Sequence, residues 1–236
     1  MNCKLVTCII AFFLLFQSST TAQIGFKAGI GISDIAFLKE GQAPYLGYEI
    51  AFLDHRLPLL NFQFGATGNF ELGKRFEFQP ELLFARKGMD YSTKYLYDDI
   101  TYKIHIDYLE VPLLFRYKIC IKENKQSGFI AGPYVAQKLN AVRITSIKGQ
   151  NEKNQVENVK NQDLGIIVGY ALDLDISTGQ LIIDLRGSYS LINMMTPLDG
   201  NISWYYGPTK DYARNVNIAL TVGYRFLNIW QTKDNK

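Results

Sequence analysis

The sequence predicts an all-β fold, an eight-stranded antiparallel up-and-down transmembrane β-barrel. Apolar residues recur at every second position over long stretches, as in a strand with two unlike faces. The alternate positions carry mainly Gly, Ala, Ser and charges of both signs, which suit the crowded interior of a narrow barrel. The predicted connections are alternately long and short, as in outer-membrane barrels. We therefore expect the apolar face to contact lipid.

The composition excludes several other classes of protein. The chain has 236 residues and is 47% hydrophobic, yet its mean hydropathy is only -0.04, so the apolar residues are dispersed. Dispersed apolar residues exclude a multi-span helical membrane protein but fit alternating strands. The formal net charge is +3 without a basic stripe, which argues against a nucleic-acid partner.

The amino terminus has the pattern of a secretory signal peptide. Lys4 precedes an apolar run over residues 5–16, and small residues follow up to a cleavage site before Gln23. We predict a signal peptide at 1–22, the barrel at 23–227 and a polar tail at 228–236. The mature chain keeps one cysteine, Cys120, which can form neither an internal disulfide nor a metal cluster.

The hairpin over residues 163–192 is the clearest element, with a tight turn at 177–180. Other segments show the same alternation, and polar stretches with Pro and Tyr separate them. A further strand is considered over residues 45–52. The predicted strands are 24–33, 60–72, 76–88, 104–119, 128–139, 163–176, 181–190 and 214–226, and the predicted long loops are 34–59, 89–103, 140–161 and 194–213.

Ten charged residues have inward parity and form the candidate site. They could form an ion or proton path, or a salt-bridge network that fills the lumen. An eight-stranded barrel is only wide enough for side chains, and unpaired buried charge is costly, so a structural network is favoured. We expect no catalytic, cofactor-binding or metal-binding residues. The ten residues are Lys27, Glu77, Glu81, Glu110, Arg116, Asp173, Asp175, Asp184, Arg186 and Arg225.

A second candidate site is His105, with Asp107 two residues on and the same outward parity. A lipid-modifying hydrolase would need a His base, a nucleophile and an orienting acid, and no serine partner is recognisable. A solvated histidine at a loop edge is therefore favoured, and His55 has no metal-ligand partner at useful spacing.

The loops hold the remaining polar and aromatic candidates. We expect Lys148, Lys153, Lys160 and Asp163 to be solvated. The aromatic run at 204–206 is interpreted as part of an interfacial belt rather than as a partner-binding surface.

Several short motifs resemble those of the PorT-like outer-membrane β-barrel domain family of Bacteroidetes. They are Gly25-Phe26-Lys27-Ala28-Gly29, Phe78-Gln79-Pro80-Glu81-Leu82-Leu83, Lys87-Gly88, Tyr108-Leu109-Glu110-Val111-Pro112-Leu113-Leu114, Ala131-Gly132-Pro133-Tyr134 and Gly223-Tyr224-Arg225-Phe226. The resemblance covers nearly the whole mature chain. It implies an eight-stranded barrel in the outer membrane and permits a link to type IX protein secretion, with which the founding member is associated.

These observations favour a monomeric outer-membrane protein with a structural or interaction role. Its partners would be the membrane lipid and a protein bound by the long extracellular loops, with no cofactor. Two alternatives remain open: a lipid-modifying hydrolase that uses His105, and a soluble ligand-binding β-barrel.

Overall fold

The computed structural model describes residues 22–37, 55–95, 98–122, 124–194 and 213–226. These residues form ten β-strands, all paired antiparallel. The strands are β1 (Ala22–Phe37), β2 (His55–Leu57), β3 (Leu59–Glu71), β4 (Phe76–Tyr95), β5 (Asp98–Lys122), β6 (Lys125–Ile147), β7 (Gln150–Gln155), β8 (Gln162–Ile176), β9 (Gly179–Ser190) and β10 (Ala213–Phe226).

Eight of the strands close into a ring in the order β1-β3-β4-β5-β6-β8-β9-β10, and β10 pairs back with β1. At the closing seam Ile30 lies opposite Leu220. The two short strands lie outside the ring, β2 beside β4 and β7 beside β6. The predicted fold class, an eight-stranded antiparallel barrel, is confirmed.

The apolar face of the barrel points outward. On β8 the alternating side chains of Leu164, Ile166, Val168 and Tyr170 are between 40% and 56% exposed, whereas Ile167 between them is buried. The same outward placement of large apolar side chains occurs on every strand of the ring. Lipid tails form no hydrogen bonds, so an apolar band can face them without leaving polar groups unsatisfied. The apolar side chains therefore point outward, as the sequence predicts.

No helix among the described residues is long and apolar enough to cross a membrane.

Two of the predicted long loops are wrong. Residues 89–103 are mostly strand, because β4 continues to Tyr95 and β5 begins at Asp98. Residues 140–161 hold the end of β6 and all of β7. In residues 89–103 the outward positions become polar, which removes the alternation with an apolar outer face, although the inward positions are mostly apolar. In β7 every position is polar. A strand with a polar outer face in water therefore lacks the pattern of a lipid-facing strand, and its sequence predicts a loop.

These added residues form a strand extension, which we define as β2, β7 and residues 86–95, 98–107 and 140–147. β5 has 25 residues, more than twice the ~10 that a tilted strand needs to cross a bilayer. Its outward apolar residues end at Leu109, and those of its neighbour β4 end at Phe84. The strand extension thus projects beyond the lipid-facing band, at the end opposite the short turns. In outer-membrane barrels this end is extracellular.

A cluster of buried apolar residues fills the barrel mouth on the inner side of the strand extension. The rings of Tyr91 and Tyr102 stack with their centroids 4.8 Å apart. Segments from the far side of the ring complete the packing. This mouth cluster includes Ile35, Met89, Tyr91, Tyr102, Ile104, Ile106, Val159, Met194 and Ala213.

Several sequence predictions concern residues outside the described part of the chain. These are the signal peptide up to residue 21, the strand considered at 45–52, the aromatic run at 204–206 and the tail at 228–236. Only the backbone of His55 is described, as the first residue of β2.

The outward orientation predicts a sharp difference between two arginine substitutions. Leu220→Arg places a cation on the lipid-facing side of β10, and we expect it to destabilise the barrel by about 2–4 kcal/mol. The matched change Asn154→Arg, on exposed β7, should cost less than about 0.5 kcal/mol. Urea unfolding in lipid vesicles measures both values. Equal, small effects would contradict a lipid-facing β10.

Candidate functional site

The inward face of the barrel carries three clusters of charged side chains, at successive heights along β4. Glu77 belongs to the lower cluster, Glu81 to the middle cluster and Lys87 to the upper cluster. Strand alternation places all three side chains on the same face of β4, so they project into the lumen. The mouth cluster lies above them.

The lower cluster is centred on Arg116 of β5. Its guanidinium donates to Asp173 of β8 (Nη2 to Oδ1, 2.8 Å) and contacts Glu77 (3.4 Å). Arg225 of β10 reaches the same Asp173 at 3.3 Å, and Lys118 pairs with Glu77. Side chains from four strands therefore meet across the lumen near the short-turn end.

The middle cluster is a closed ring of two cations and two anions. The Lys27 ammonium lies 2.7 Å from Glu81 and 2.8 Å from Asp184. Arg186 binds the same two carboxylates, at 2.7 Å to Glu81 and 2.6 Å to Asp184. Each cation contacts both anions, so the formal charges cancel within the ring.

These four side chains fill the lumen at their level. Their exposed fractions are between 0% and 2%. Gln79 packs beside them and donates to Glu81 at 2.6 Å. Buried charges need close partners to offset the cost of losing their hydration. The short distances between these four side chains provide that compensation.

The upper cluster combines one ion pair with a buried carboxylate. Lys87 pairs with Glu110, and its ammonium lies 4.2 Å from the centre of the Tyr134 ring. The Tyr134 hydroxyl donates to Asp163 at 3.0 Å, and Asn215 donates to the same carboxylate at 3.1 Å. Neutral donors from β6 and β10 thus satisfy this carboxylate.

Nine of the ten candidate residues lie in these clusters. Lys27, Glu81, Asp184 and Arg186 form the middle one; Glu77, Arg116, Asp173 and Arg225 are in the lower one; Glu110 is in the upper one. Asp175 is only half-buried at the edge of the lumen, where it accepts a hydrogen bond from Gln180 at 2.6 Å.

The candidate set omitted three charged residues that belong to these clusters. Lys87 and Lys118 share the parity of Glu81 and Arg116 on their strands, so the alternation alone could have identified them. Asp163 was expected to be solvated, and this is wrong: it is 2% exposed. Asp163 is the first inward-facing residue of β8. Because the segment before it was predicted to be a loop, Asp163 was assigned to solvent.

His105 and Asp107 do not form the arrangement that a hydrolase needs. Both carboxylate oxygens of Asp107 bind Arg86, at 2.7 Å to Nε and 3.1 Å to Nη2. The acid that would orient His105 is therefore engaged by a cation. Within the described residues, no group of His, Cys, Asp or Glu is arranged to hold a metal ion.

A closed antiparallel ring with an outward apolar band and a charged lumen defines an outer-membrane β-barrel. The chain belongs to the outer membrane protein beta-barrel domain family, whose profile matches residues 17–196. The protein is accordingly located in the outer membrane. The matched region stops before β10, the strand that closes the ring.

Solved structures of outer-membrane proteins are also similar to this chain. Ail, the attachment invasion locus protein of Yersinia pestis, is 15% identical, with 87% of this chain and 99% of Ail covered and a TM-score of 0.38. OprG of Pseudomonas aeruginosa is 13% identical, with 87% and 94% covered and a TM-score of 0.43. The outer membrane protease OmpT of Escherichia coli is 10% identical, with 89% and 99% covered and a TM-score of 0.40.

At these identities and TM-scores the similarities carry no argument about function. No curated protein sequence matches this chain.

The middle cluster predicts strong coupling between its members. Lys27→Met leaves two buried carboxylates sharing Arg186 and should cost about 3–5 kcal/mol of unfolding free energy. Adding Asp184→Asn restores a one-to-one pair of Arg186 with Glu81. The double variant should therefore be more stable than the sum of the single effects predicts, by about 1 kcal/mol or more.

The exposed change Lys153→Met serves as the control and should leave the unfolding free energy nearly unchanged. Additive effects of the two cluster substitutions would contradict the ring of contacts.

Proposed function

We propose that this outer-membrane protein is a non-enzymatic, monomeric barrel with a closed lumen, which presents the strand extension at the cell surface to bind a protein partner. The observation that carries this proposal is the filling of the lumen. Three charge clusters and the mouth cluster occupy the barrel from the short-turn end to the extracellular end. A lumen filled in this way leaves no room for a solute path.

The strand extension supports an interaction role. The buried side chains of Tyr91, Tyr102, Ile104 and Ile106 pack on its inner face and hold it in place. Its outer surface carries polar groups such as Lys103 and stands in water. A rigid, water-facing sheet anchored to a closed barrel suits recognition better than transport.

The domain boundaries and the pathway of the protein are proposed from its sequence. We propose that residues 1–22 are a signal peptide, that residues 23–227 form the mature barrel and that 228–236 is a polar tail. Motifs such as Tyr108-Leu109-Glu110-Val111-Pro112 resemble the PorT-like group of Bacteroidetes. That resemblance supports a role linked to type IX protein secretion, with the strand extension as the contact to another component.

The two alternatives fit the molecule less well. A soluble ligand-binding barrel would bury its large apolar side chains inside, whereas here Val168 and Leu220 point outward. A lipid-modifying hydrolase would need a free acid beside His105, and Asp107 is bound to Arg86 instead.

The closed lumen predicts the absence of stable conductance. Purified protein reconstituted in planar bilayers should show no sustained single-channel current, because the middle cluster blocks the lumen. A porin reconstituted in the same bilayers is the positive control. Stable channels of nanosiemens size, seen reproducibly with the wild-type chain, would overturn the closed-lumen proposal.

The hydrolase alternative predicts a different outcome for two substitutions. We expect cells that carry His105→Ala or Asp107→Ala to keep the lipid composition of cells with the wild-type protein, because neither residue acts on lipid. Mass spectrometry of outer-membrane lipid extracts measures this. A lipid species that changes identically in both variants and in a deletion strain would instead support the hydrolase.

A further inference from the structure

β7 is the outermost strand on one side of the strand extension. Among the described residues it pairs with β6 alone. All six of its residues are exposed, and the whole strand lies beyond the lipid-facing band. One edge of β7 therefore carries backbone groups that no described strand satisfies.

The turn before β7 fixes which backbone groups these are. Lys148 and Gly149 connect Ile147 to Gln150, and their φ angles are 50° and 82°. Two positive φ values in a two-residue connection define a type I′ hairpin turn. In such a hairpin the flanking residues, Ile147 and Gln150, form a pair that exchanges both backbone hydrogen bonds.

Hydrogen-bonded and non-hydrogen-bonded pairs then alternate along the hairpin. Gln150, Glu152 and Asn154 direct their N–H and C=O groups toward β6. The intervening residues Asn151 and Lys153, together with Gln155, direct theirs away from β6. We call this side of β7, with which no described strand pairs, its free edge. It presents three donors and three acceptors at the spacing of an antiparallel strand.

The side chains of β7 restrict what can pair with this edge. Edge strands invite pairing unless charges, Pro or a bulge oppose it. β7 contains no Pro, and its pairing with β6 is continuous from Gln150 to Gln155. Its two charges, Glu152 and Lys153, lie at its centre on opposite faces, so the edge favours a strand with complementary charges at these positions.

A second copy of the chain is a poor partner for this edge. Two-fold pairing of β7 with itself must place outward-directed residues opposite one another. The two registers with the greatest overlap put either Glu152 opposite Glu152 or Lys153 opposite Lys153. Like charges directly opposite destabilise a strand pair.

We propose that the free edge of β7 binds an extended segment of a different protein at the cell surface, which adds to the sheet as an antiparallel strand with an acidic residue opposite Lys153. Backbone hydrogen bonds from Asn151, Lys153 and Gln155 supply the main contacts, as in other cases of strand addition. This inference rests on the proposed function and specifies its binding site.

The test uses the full-length protein in lipid nanodiscs and a synthetic peptide, Ser-Thr-Val-Thr-Glu-Thr-Val-Thr-Ser, as the probe. Lys153→Pro removes an outward-directed N–H while the hydrogen bonds to β6 remain, because Pro is tolerated on a free edge. Lys153→Ala keeps that N–H and is the matched control for the lost charge. Amide exchange at Glu152 and Asn154 verifies that the hairpin persists in each variant.

We expect the probe to bind the wild-type chain and to slow amide exchange at Asn151, Lys153 and Gln155 only. Lys153→Pro should weaken binding at least ten-fold. Lys153→Ala should weaken it about three-fold, as should a probe with Lys in place of its central Glu.

Three results would overturn the inference. They are no binding of the probe at millimolar concentration, equal binding by Lys153→Pro and the wild-type chain, or a dimer of the chain that Lys153→Pro abolishes. None of these bears on the closed lumen, which the conductance measurement tests separately.

Discussion

The requirement that every charged side chain inside the barrel have close polar partners organises this molecule. Lys27, Glu81, Asp184 and Arg186 come from three strands, β1, β4 and β9, and each of the four contacts two of the others. Buried ions of this kind are tolerated only with close partners. The ring of contacts therefore fixes how the strands face one another across the lumen, and the proposed closure of the lumen rests on it.

The surroundings of β4 and β5 change along the length of these two strands. Within the bilayer, β4 and β5 face lipid outside and charges inside. Beyond Phe84 and Leu109 the outer face becomes polar and the inner face becomes apolar. The chain thus changes from a membrane barrel to a water-exposed sheet with a small core of its own, without any break in the strands. The outward apolar band lies in the lipid, and the strand extension is the surface that we propose for recognition.

Much of this could be predicted from the sequence. Alternation over residues 163–176 gave the lipid-facing and lumen-facing sides of β8, and parity identified most of the buried charges. The strand extension was missed because alternation with an apolar outer face disappears where strands leave the lipid. Asp163 was misjudged for the same reason. The pairing of Lys27 with Glu81 and Asp184 depends on the tilt and register of the closed ring, which parity alone does not determine.

The face of the strands that touches lipid decides whether this chain is a membrane barrel. Spin labels at Val168 and Leu220, in a Cys120→Ser background, report this through collision with oxygen, which dissolves in lipid, and with a water-soluble nickel chelate. In nanodiscs both labels should relax strongly with oxygen and hardly at all with nickel, whereas a label at Asn154 should show the reverse. Strong relaxation by nickel at Val168 and Leu220 would contradict the account.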